Sequence, residues 1–213
     1  MPVSKDTAKI EAKKQETLSM MFASMWRRCS AFLLDYLIIS AYLILLVIIG
    51  LGLRSGPFKT IFQIMFADPN VSEVSAFLLL VLPVLLYFAL SEHSSWQATW
   101  GKRKMGLRVT DASGIRLSLP RSLARSLLKL VPWELTHACL WRIPGWPTTP
   151  TTPSPIVTTG LVLVWVLVGA YLISMLVGKK RQTLYDWIAG TYVVVVPRPD
   201  HLRAPERRQV EIR

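Results

Sequence analysis

Apolar residues along this chain fall into long runs separated by polar stretches. The first run, residues 29–53, would extend about 37 Å as an α-helix, more than the roughly 30 Å of hydrocarbon in a bilayer. Residues 69–91 and 156–177 have similar length and composition. Asp68 provides an N-cap signal before the second run, and Pro83 within it predicts a kink. The pattern therefore predicts at least three membrane-spanning helices.

A fourth helical segment, residues 119–141, has a mixed pattern. Arg121, Arg125 and Lys129 recur at every fourth position, while leucines and a valine occupy the other side. Such a helix either lies flat along the membrane surface or crosses the bilayer. The pattern of this segment alone leaves both arrangements open.

The distribution of Lys and Arg favours four crossings. Two basic residues lie between the first and second runs, whereas eight follow the last run. Loops rich in basic residues stay in the cytoplasm, so the segments before the first run and after the last should share one side. We therefore predict an all-α membrane protein with a four-helix transmembrane bundle and cytoplasmic N- and C-termini. The alternative is three spans plus one interfacial amphipathic helix. Four crossings would place three polar side chains at membrane depth, where they must face the bundle interior: Lys129, Glu134 and His137.

Short segments outside the apolar runs predict a small β-structure. Residues 107–110 and 115–118 alternate apolar and polar positions around the turn-forming residues 111–114, which predicts a β-hairpin. Residues 183–189 are typical of a short helix, and the β-branched residues 191–196 that follow predict a strand. With four spans this strand would lie on the cytoplasmic side, where it could pair with the hairpin.

Polar segments flank a single membrane domain. Residues 1–22 predict a polar extension that does not fold alone, and residues 198–213 predict a charged, disordered tail. Residues 23–197 are assigned to the membrane domain. The first span is too long for the apolar region of a signal peptide and carries Asp35, so we expect it to remain uncleaved.

The formal charge of +12 has to be interpreted together with the long apolar runs of the chain. In a soluble protein it would suggest nucleic acid, but basic residues also accumulate beside membrane spans. The expected partner is therefore the lipid bilayer and not nucleic acid. Lys102, Arg103 and Lys104 are predicted to contact anionic lipid headgroups. Two cysteines provide neither a disulfide framework nor a zinc site.

The sequence lacks motifs of catalysis or cofactor binding. Gly101-Lys102 is not a phosphate loop, because Trp96 stands where that loop needs a glycine. The three histidines are far apart and have no metal-ligand spacing. No serine or cysteine lies in a nucleophile motif. We therefore expect no metal, no cofactor and no enzymatic activity.

Three short motifs occur in order along the chain: Arg28-Cys-Ser-Ala31 leading to Asp35, Thr99-Trp-Gly101-Lys102-Arg103 followed by Met-Gly106, and Arg181-Gln-Thr183-Leu-Tyr-Asp186 leading to Ala189-Gly190-Thr191. Together they closely resemble the RDD family of bacterial membrane proteins, named for one arginine and two aspartates. By this resemblance the naming residues are Arg28, Asp35 and Asp186. Gln97 and Ala98 occupy the region of the family's usual glycine, and Tyr185 replaces its common histidine. The resemblance implies a multi-pass protein of the bacterial cytoplasmic (inner) membrane, and ion transport has been suggested for the family.

The naming residues suggest specific contacts. Arg28 and Asp35 are about 10.5 Å apart along one helix, too far for a direct pair. Arg28 and Asp186 are both expected on the cytoplasmic side, which predicts an ion pair between them. Asp35 is expected either to fix packing through Arg125, Lys129 or a neighbouring hydroxyl, or to bind a proton or a monovalent cation. A second group of candidate residues comprises Arg125, Lys129, Glu134, His137 and Arg181.

Two functions are consistent with these residues. In the first, the protein is a small monovalent cation or proton transporter that uses Asp35, assisted by Lys129, Glu134 and His137, and works as a homo-oligomer. In the second, it is a non-transporting membrane subunit or assembly factor that docks a protein partner. Replacement of Asp35 by asparagine would abolish function in the first case and preserve it in the second.

Overall fold

The computed structural model describes residues 21–65, 68–146 and 149–196, and most of them are helical. Of the expected polar extension only residues 21 and 22 are described, and the expected tail 198–213 lies outside the described residues. The helices, in chain order, are α1 (Met25–Ser55), α2 (Lys59–Met65), α3 (Pro69–Ala76), α4 (Leu82–His93), α5 (Trp100–Lys104), α6 (Leu119–Leu140), α7 (Pro155–Val177) and α8 (Leu184–Ile188). The strands are β1 (Leu107–Thr110) and β2 (Tyr192–Val195).

Three helices in the described part of the chain are long and apolar enough to cross a membrane. They are Met25–Arg54, Pro69–His93 and Pro155–Val177. These helices confirm the predicted membrane protein of mainly helical fold. Helix α6 is long enough to cross but is less apolar than these three, so the fourth crossing stays a prediction.

The second of these long helices changes geometry along its length. Asp68 caps its start, as predicted, by accepting hydrogen bonds from the N–H groups of Asn70 and Val71 at 2.8 and 3.0 Å. A π-helical turn, Phe77–Val81, separates α3 from α4. Pro83 follows this turn and has no N–H to donate to the carbonyl of residue 79. That carbonyl of Leu79 accepts a hydrogen bond from the hydroxyl of Tyr42 on α1, at 2.6 Å. The irregularity predicted at Pro83 therefore takes the form of a π-helical turn.

Helix α6 runs antiparallel to its two long neighbours. Near its start, Ser122 donates a hydrogen bond to the carbonyl of Ala89 in α4 at 2.7 Å. Just after its end, Arg142 forms an ion pair at 2.8 Å with Glu73 in α3. Cys139 packs on Val157 at the beginning of α7. With 22 residues, α6 is about 33 Å long and lies beside the other two helices over its whole length.

The two strands form a small antiparallel sheet in which Leu107 pairs with Val195 and Val109 with Val193. The predicted pairing of the valine-rich strand with residues 107–110 is therefore present. The other edge of β2 is covered by residues 21–23, because Val195 N–H donates to the carbonyl of Met21 at 2.8 Å. The core beneath the sheet is formed by Ala23, Ala31, Leu107, Val109, Leu117 and Val193.

The predicted hairpin is wrong in its second arm, since residues 115–118 form no strand. Asp111 explains the difference. Its carboxylate accepts hydrogen bonds from the N–H groups of Ser113 and Ile115 at 2.8 and 2.9 Å. The N–H of Ile115 is therefore engaged by a side chain and not by a sheet ladder. The chain turns away toward α6, and β2 takes the place of the missing arm.

Candidate functional site

Asp35 of α1 lies in a closed polar site, with 1% of its surface exposed. One carboxylate oxygen, Oδ1, accepts hydrogen bonds from the Tyr87 hydroxyl and from the N–H of Gly101, both at 2.7 Å. The other, Oδ2, accepts a bond from the Thr99 hydroxyl at 2.5 Å. The predicted contact with a neighbouring hydroxyl is present. The alternative contacts, with Arg125 or Lys129, do not form.

Gly101 explains why α5 can approach Asp35 so closely. A Cβ atom at this position would lie 2.1 Å from the carbonyl oxygen of Ala31 and 2.9 Å from the carboxylate carbon of Asp35. Only glycine permits this contact between the two helices. Thr99 caps α5 and also binds Asp35, so both residues of the motif act on the same carboxylate.

Asp186 connects two arginines from different helices. Its Oδ2 accepts a hydrogen bond from Nη1 of Arg28 at 2.8 Å, which is the predicted ion pair. Its Oδ1 accepts bonds from Nε and Nη2 of Arg125 at 2.9 and 2.6 Å. Asp186 also forms a capping box with Thr183 at the start of α8. Burial acts to raise the pKa of Asp186, but the charges of Arg125 and Arg28 and their hydrogen bonds outweigh it and lower the pKa to about 2.

Glu92, at the end of α4, is the acidic centre that sequence reasoning missed. Its carboxylate is fully buried and binds three basic side chains. Nζ of Lys102 lies 2.5 Å and Nζ of Lys129 lies 3.2 Å from Oε1, while Arg125 pairs with Oε2. The available signal was an acid in the last turn of a spanning helix, where an ionised group needs a partner. Its partners could not be chosen before the packing of α6 was known.

The ion-paired side chains form one buried charge cluster, defined by the basic residues Arg28, Lys102, Arg125 and Lys129 and the acidic residues Glu92 and Asp186. Arg125 is its centre, because it contacts both Glu92 and Asp186. The formal charges are four positive and two negative, so the cluster carries a net charge of +2. It joins α1, α4, α5, α6 and α8 at the end of the molecule where the sheet lies.

Other predicted site residues lie outside this cluster. Glu134 and His137 are farther along α6, and neither Oε2 of Glu134 nor Nδ1 of His137 has a hydrogen-bond partner among the described residues. Neither residue contacts Asp35, and the assistance in transport expected from the sequence stays a prediction. Arg181 is exposed and adopts a positive φ of 49°.

The three consecutive basic residues predicted to contact lipid have different surroundings. Lys102 points inward to Glu92 and is 13% exposed, so its assignment to lipid headgroups is wrong. Arg103 instead stacks on Trp96, 3.6 Å from the ring centre, and Nζ of Lys104 lies 5.7 Å from the ring centre of Trp100. Burial of Glu92 explains the difference, because a carboxylate at that place needs a nearby cation.

A cavity of about 560 Å³ lies between α1 and the three other long helical segments. Its walls are almost entirely apolar along most of their length, and the buried charge cluster closes one end. Nη1 of Arg28 holds Asp186, whereas its Nε and Nη2 have no hydrogen-bond partner within the described part of the protein. The site therefore combines an apolar cavity with a charged end, and the unpartnered nitrogens of Arg28 are buried in that end.

The comparison with known proteins fits this arrangement of motifs. The sequence profile of the RDD family matches residues 22–190. The chain belongs to the RDD family. The uncharacterized protein YckC of Bacillus subtilis (strain 168) is 29% identical over 186 residues, which cover 86% of this chain and 92% of YckC. The uncharacterized protein YxaI of the same organism is 27% identical over 109 residues, 48% of this chain and 72% of YxaI. No solved structure matches the chain.

The family motifs acquire distinct structural roles in this RDD protein. The first motif supplies Arg28 and Asp35, and the second supplies the Thr99 and Gly101 that bind Asp35. The third supplies Asp186, which pairs with Arg28. The motifs are far apart in sequence but lie next to one another in the structure. The first span is therefore held by two sets of contacts, those of Asp35 with the second motif and that of Arg28 with the third.

Proposed function

We propose that this RDD protein is a small proton-coupled transporter of the bacterial cytoplasmic membrane. The observation that carries the proposal is the cavity of about 560 Å³ that ends at the buried charge cluster. Ionisable side chains inside a membrane bundle are costly and commonly mark a transport pathway. A cavity between the helices next to such residues gives a substrate a place to bind.

The proposed topology has four spans and cytoplasmic termini. Helix α6 is about 33 Å long and lies antiparallel to its two neighbours from end to end, which supports a crossing. Its charged residues Arg125 and Lys129 face Glu92 and not lipid. The cluster end of the bundle carries the loops rich in Lys and Arg, so it is assigned to the cytoplasm.

Proton coupling is assigned to Lys129 and Glu92. The ammonium of Lys129 is the most distant of the three cations around Glu92, at 3.2 Å against 2.5 Å for Lys102. Unlike an arginine, a buried lysine can release its proton. Binding of a substrate at the cluster would change the balance of charge around Lys129 and thereby its protonation.

Asp35 is assigned a structural role in this proposal. A monovalent cation at Asp35 would have to displace hydrogen bonds from Thr99, Tyr87 or the Gly101 N–H, and these bonds attach α1 to its neighbours. The three donors already satisfy the carboxylate. The coupling function predicted for Asp35 from sequence is therefore transferred to Lys129 and Glu92.

The test is proton movement in proteoliposomes that contain the purified full-length protein. Gradients of Na⁺ or K⁺ are imposed in separate experiments, and internal pH is followed with a trapped dye. We expect Lys129→Gln to reduce coupled proton movement at least tenfold. The matched control, Lys104→Gln, removes an exposed amine near Trp100 and should retain it. Equal flux in the two variants would contradict the assignment of Lys129.

A non-transporting role with a protein partner is the second candidate. It is supported by Trp187 and Ile188, which are 70% and 57% exposed on the short helix α8. Exposed apolar side chains of this kind mark contact with a protein or with the membrane surface. Absence of gradient-driven proton movement in wild type, with a folded protein, would favour this role.

Arg103 and Lys104, beside Trp96 and Trp100, are proposed to contact anionic lipid headgroups.

The long apolar faces of α1 and α7 are exposed within one copy of the chain. Lipid covers such faces in a bilayer, and a second copy of the chain can cover part of them. A homo-oligomer is proposed on this basis as the working form of the transporter.

A further inference from the structure

The short helix α8 lies beside the last turns of α7, one of the long apolar helices. The rings of Tyr171 in α7 and Tyr185 in α8 meet edge to face, with their centres 5.2 Å apart. A surface groove between the two helices, the α7–α8 groove, is lined by Ser174, Gly178, Lys180, Gln182, Leu184 and Trp187. Ser174 lies about 4.5 Å along the helix axis from Val177, where α7 ends. Because Trp187 shares the groove with Ser174, α8 lies at the depth where a span reaches the membrane surface.

Helix α8 has a buried face and an outer face. Asp186 is fully buried, and its carboxylate pairs with two arginines of the charge cluster. Trp187 and Ile188 point outward and are 70% and 57% exposed. Gly178, directly after α7, lines the groove together with Trp187, so the outer face adjoins the exposed apolar end of α7. Tryptophan is enriched at this level of a membrane, because its large apolar ring carries one polar N–H group.

A basic turn borders the α7–α8 groove. The turn 178–181 is closed by the N–H of Arg181, which donates to the carbonyl of Gly178 at 2.8 Å. Its three basic side chains are exposed: Lys179, Lys180 and Arg181. Lys180 lines the groove, and its Nζ lies 5.3 Å from the centre of the Tyr192 ring. No carboxylate in the described part of the chain pairs with these three residues, so their charge is available to a ligand.

We propose that the α7–α8 groove binds the headgroup of an anionic phospholipid, with the phosphate at Lys180 and the acyl chains along the exposed face of α7. Basic residues beside the end of a span attract anionic lipids, and the apolar side chains next to them require hydrocarbon. Water alone would suit the basic turn but not Trp187 and Ile188. A phospholipid supplies both kinds of contact at the depth where α8 lies.

This assignment does not depend on transport. It does bear on the second candidate function, because Trp187 and Ile188 are the residues that support a protein partner. If lipid covers the outer face of α8, that face is not free to dock a protein. The same experiment therefore distinguishes the two occupants.

The first test measures whether the outer face of α8 contacts lipid. A bimane fluorophore is attached to Ile188→Cys in an otherwise cysteine-free full-length chain, and the protein is reconstituted with phospholipid brominated near the top of its acyl chains. We expect quenching within twofold of that for a label at Val177→Cys, the 80% exposed last residue of α7. Iodide on both sides of the membrane should quench weakly. Strong quenching by iodide and none by brominated lipid would place this face in water, overturn the proposal and favour a protein partner.

The second test compares headgroups at the same label. Brominated phosphatidylglycerol and brominated phosphatidylcholine with identical chains each compete with unbrominated phosphatidylcholine, and quenching at position 188 gives their relative affinity. We expect phosphatidylglycerol to bind at least fivefold more tightly. Lys180→Gln should reduce this ratio about fivefold, as expected for one basic residue near an anionic lipid surface. Lys59→Gln, the matched control, removes an exposed amine from α2, between the first two long helices, and should leave the ratio unchanged.

Equal affinities of the two lipids in the wild-type background would refute the anionic headgroup. A ratio that is the same with and without Lys180→Gln would refute Lys180 as the contact of the phosphate. Lys180 is exposed, so its replacement should not affect folding, and thermal unfolding of each variant checks this. The label reports lipid contact whether or not protons move in proteoliposomes, so failure of the lipid site and failure of the transporter are separate results.

Discussion

Replacement of Glu92 by glutamine removes one negative charge from a cluster that already has an excess of positive charge. The side chain keeps nearly the same size and shape, so packing changes little. Arg125 retains Asp186, but Lys102 and Lys129 lose the only carboxylate that they contact in the described structure. Breaking a buried ion pair typically costs about 3–5 kcal/mol, because the remaining charge stays buried. We expect a loss of about 3 kcal/mol in the free energy of unfolding.

The assay is reversible unfolding in mixed micelles, in which the fraction of sodium dodecyl sulfate is raised and helicity is followed. Glu73→Gln is the matched control. Glu73 also pairs with an arginine, Arg142, at 2.8 Å, but the two side chains are 25% and 49% exposed. Partly exposed pairs of this kind contribute less than about 1 kcal/mol. Equal losses in the free energy of unfolding for the two variants would refute the argument that full burial makes the ion pairs of Glu92 costly to break.

A double variant tests the physical cause of the loss. Lys129→Met removes one of the cations that Glu92→Gln leaves without its carboxylate, and it keeps the apolar stem of the side chain. If the loss arises from uncompensated buried charge, the double variant should be more stable than Glu92→Gln alone. The coupling energy from the double-mutant cycle should exceed about 0.5 kcal/mol, as expected for residues in direct contact. Strict additivity would indicate that lost packing, and not charge, is responsible.

Three further predictions concern other parts of the molecule. Gly101→Ala should destabilise the protein by at least about 1–3 kcal/mol in the same unfolding assay, because its Cβ would lie 2.1 Å from the Ala31 carbonyl oxygen, whereas Gly169→Ala, with open space around the new Cβ, should be neutral or stabilising. Ionised Asp186 should stabilise the fold above its unfolded pKa of 3.8, and this contribution should be lost as pH falls toward about 2, as measured by unfolding at pH 5 and pH 2.5. A cysteine at Thr149 in an otherwise cysteine-free chain should react with an impermeant reagent added outside cells, and protection there would contradict four spans.

The long helices were predictable because bilayer thickness and backbone geometry fix their length and composition. The predicted runs 69–91 and 156–177 differ by no more than two residues at either end from the helical segments Pro69–His93 and Pro155–Val177. Asp68 acts as the predicted cap, because its carboxylate can reach only the first N–H groups of the following helix. Local hydrogen bonding and the thickness of the bilayer are therefore sufficient to predict long helices and their caps from the sequence.

The small sheet shows where local patterns become ambiguous. Residues 107–118 have the alternation and turn of a hairpin, but a hairpin also requires that no other strand competes for β1. The valines of β2 supply that competitor from more than 80 residues away in sequence. A strand with β-branched residues along its whole length pairs better than a short arm next to Asp111, whose side chain binds nearby N–H groups. Only the tertiary structure decides between these partners.

One ion pair of the candidate site was predictable from the sequence, whereas the partners of its other acidic residues were not. Arg28 lies near the start of the first span and Asp186 lies nine residues after the last one, so the predicted topology brought the two residues to one side and predicted their pairing. Glu92 could not be assigned its partners, because the choice among nearby basic residues depends on how α4, α5 and α6 rotate about their axes. Asp35 posed the same problem, and its partners proved to be hydroxyls and a backbone N–H rather than the charged residues available on α6.

The positions of these contacts explain why a cavity exists beside a tightly bonded cluster. At the charged end, α1 is attached through Asp35 to α5 and through Arg28 to Asp186. Farther along, the Tyr42 hydroxyl reaches Leu79 at the π-helical turn. Helix α6, by contrast, contacts α4 and α7 along its length. The first span therefore stands apart from a compact group of three helical segments, and the gap between them is the apolar cavity.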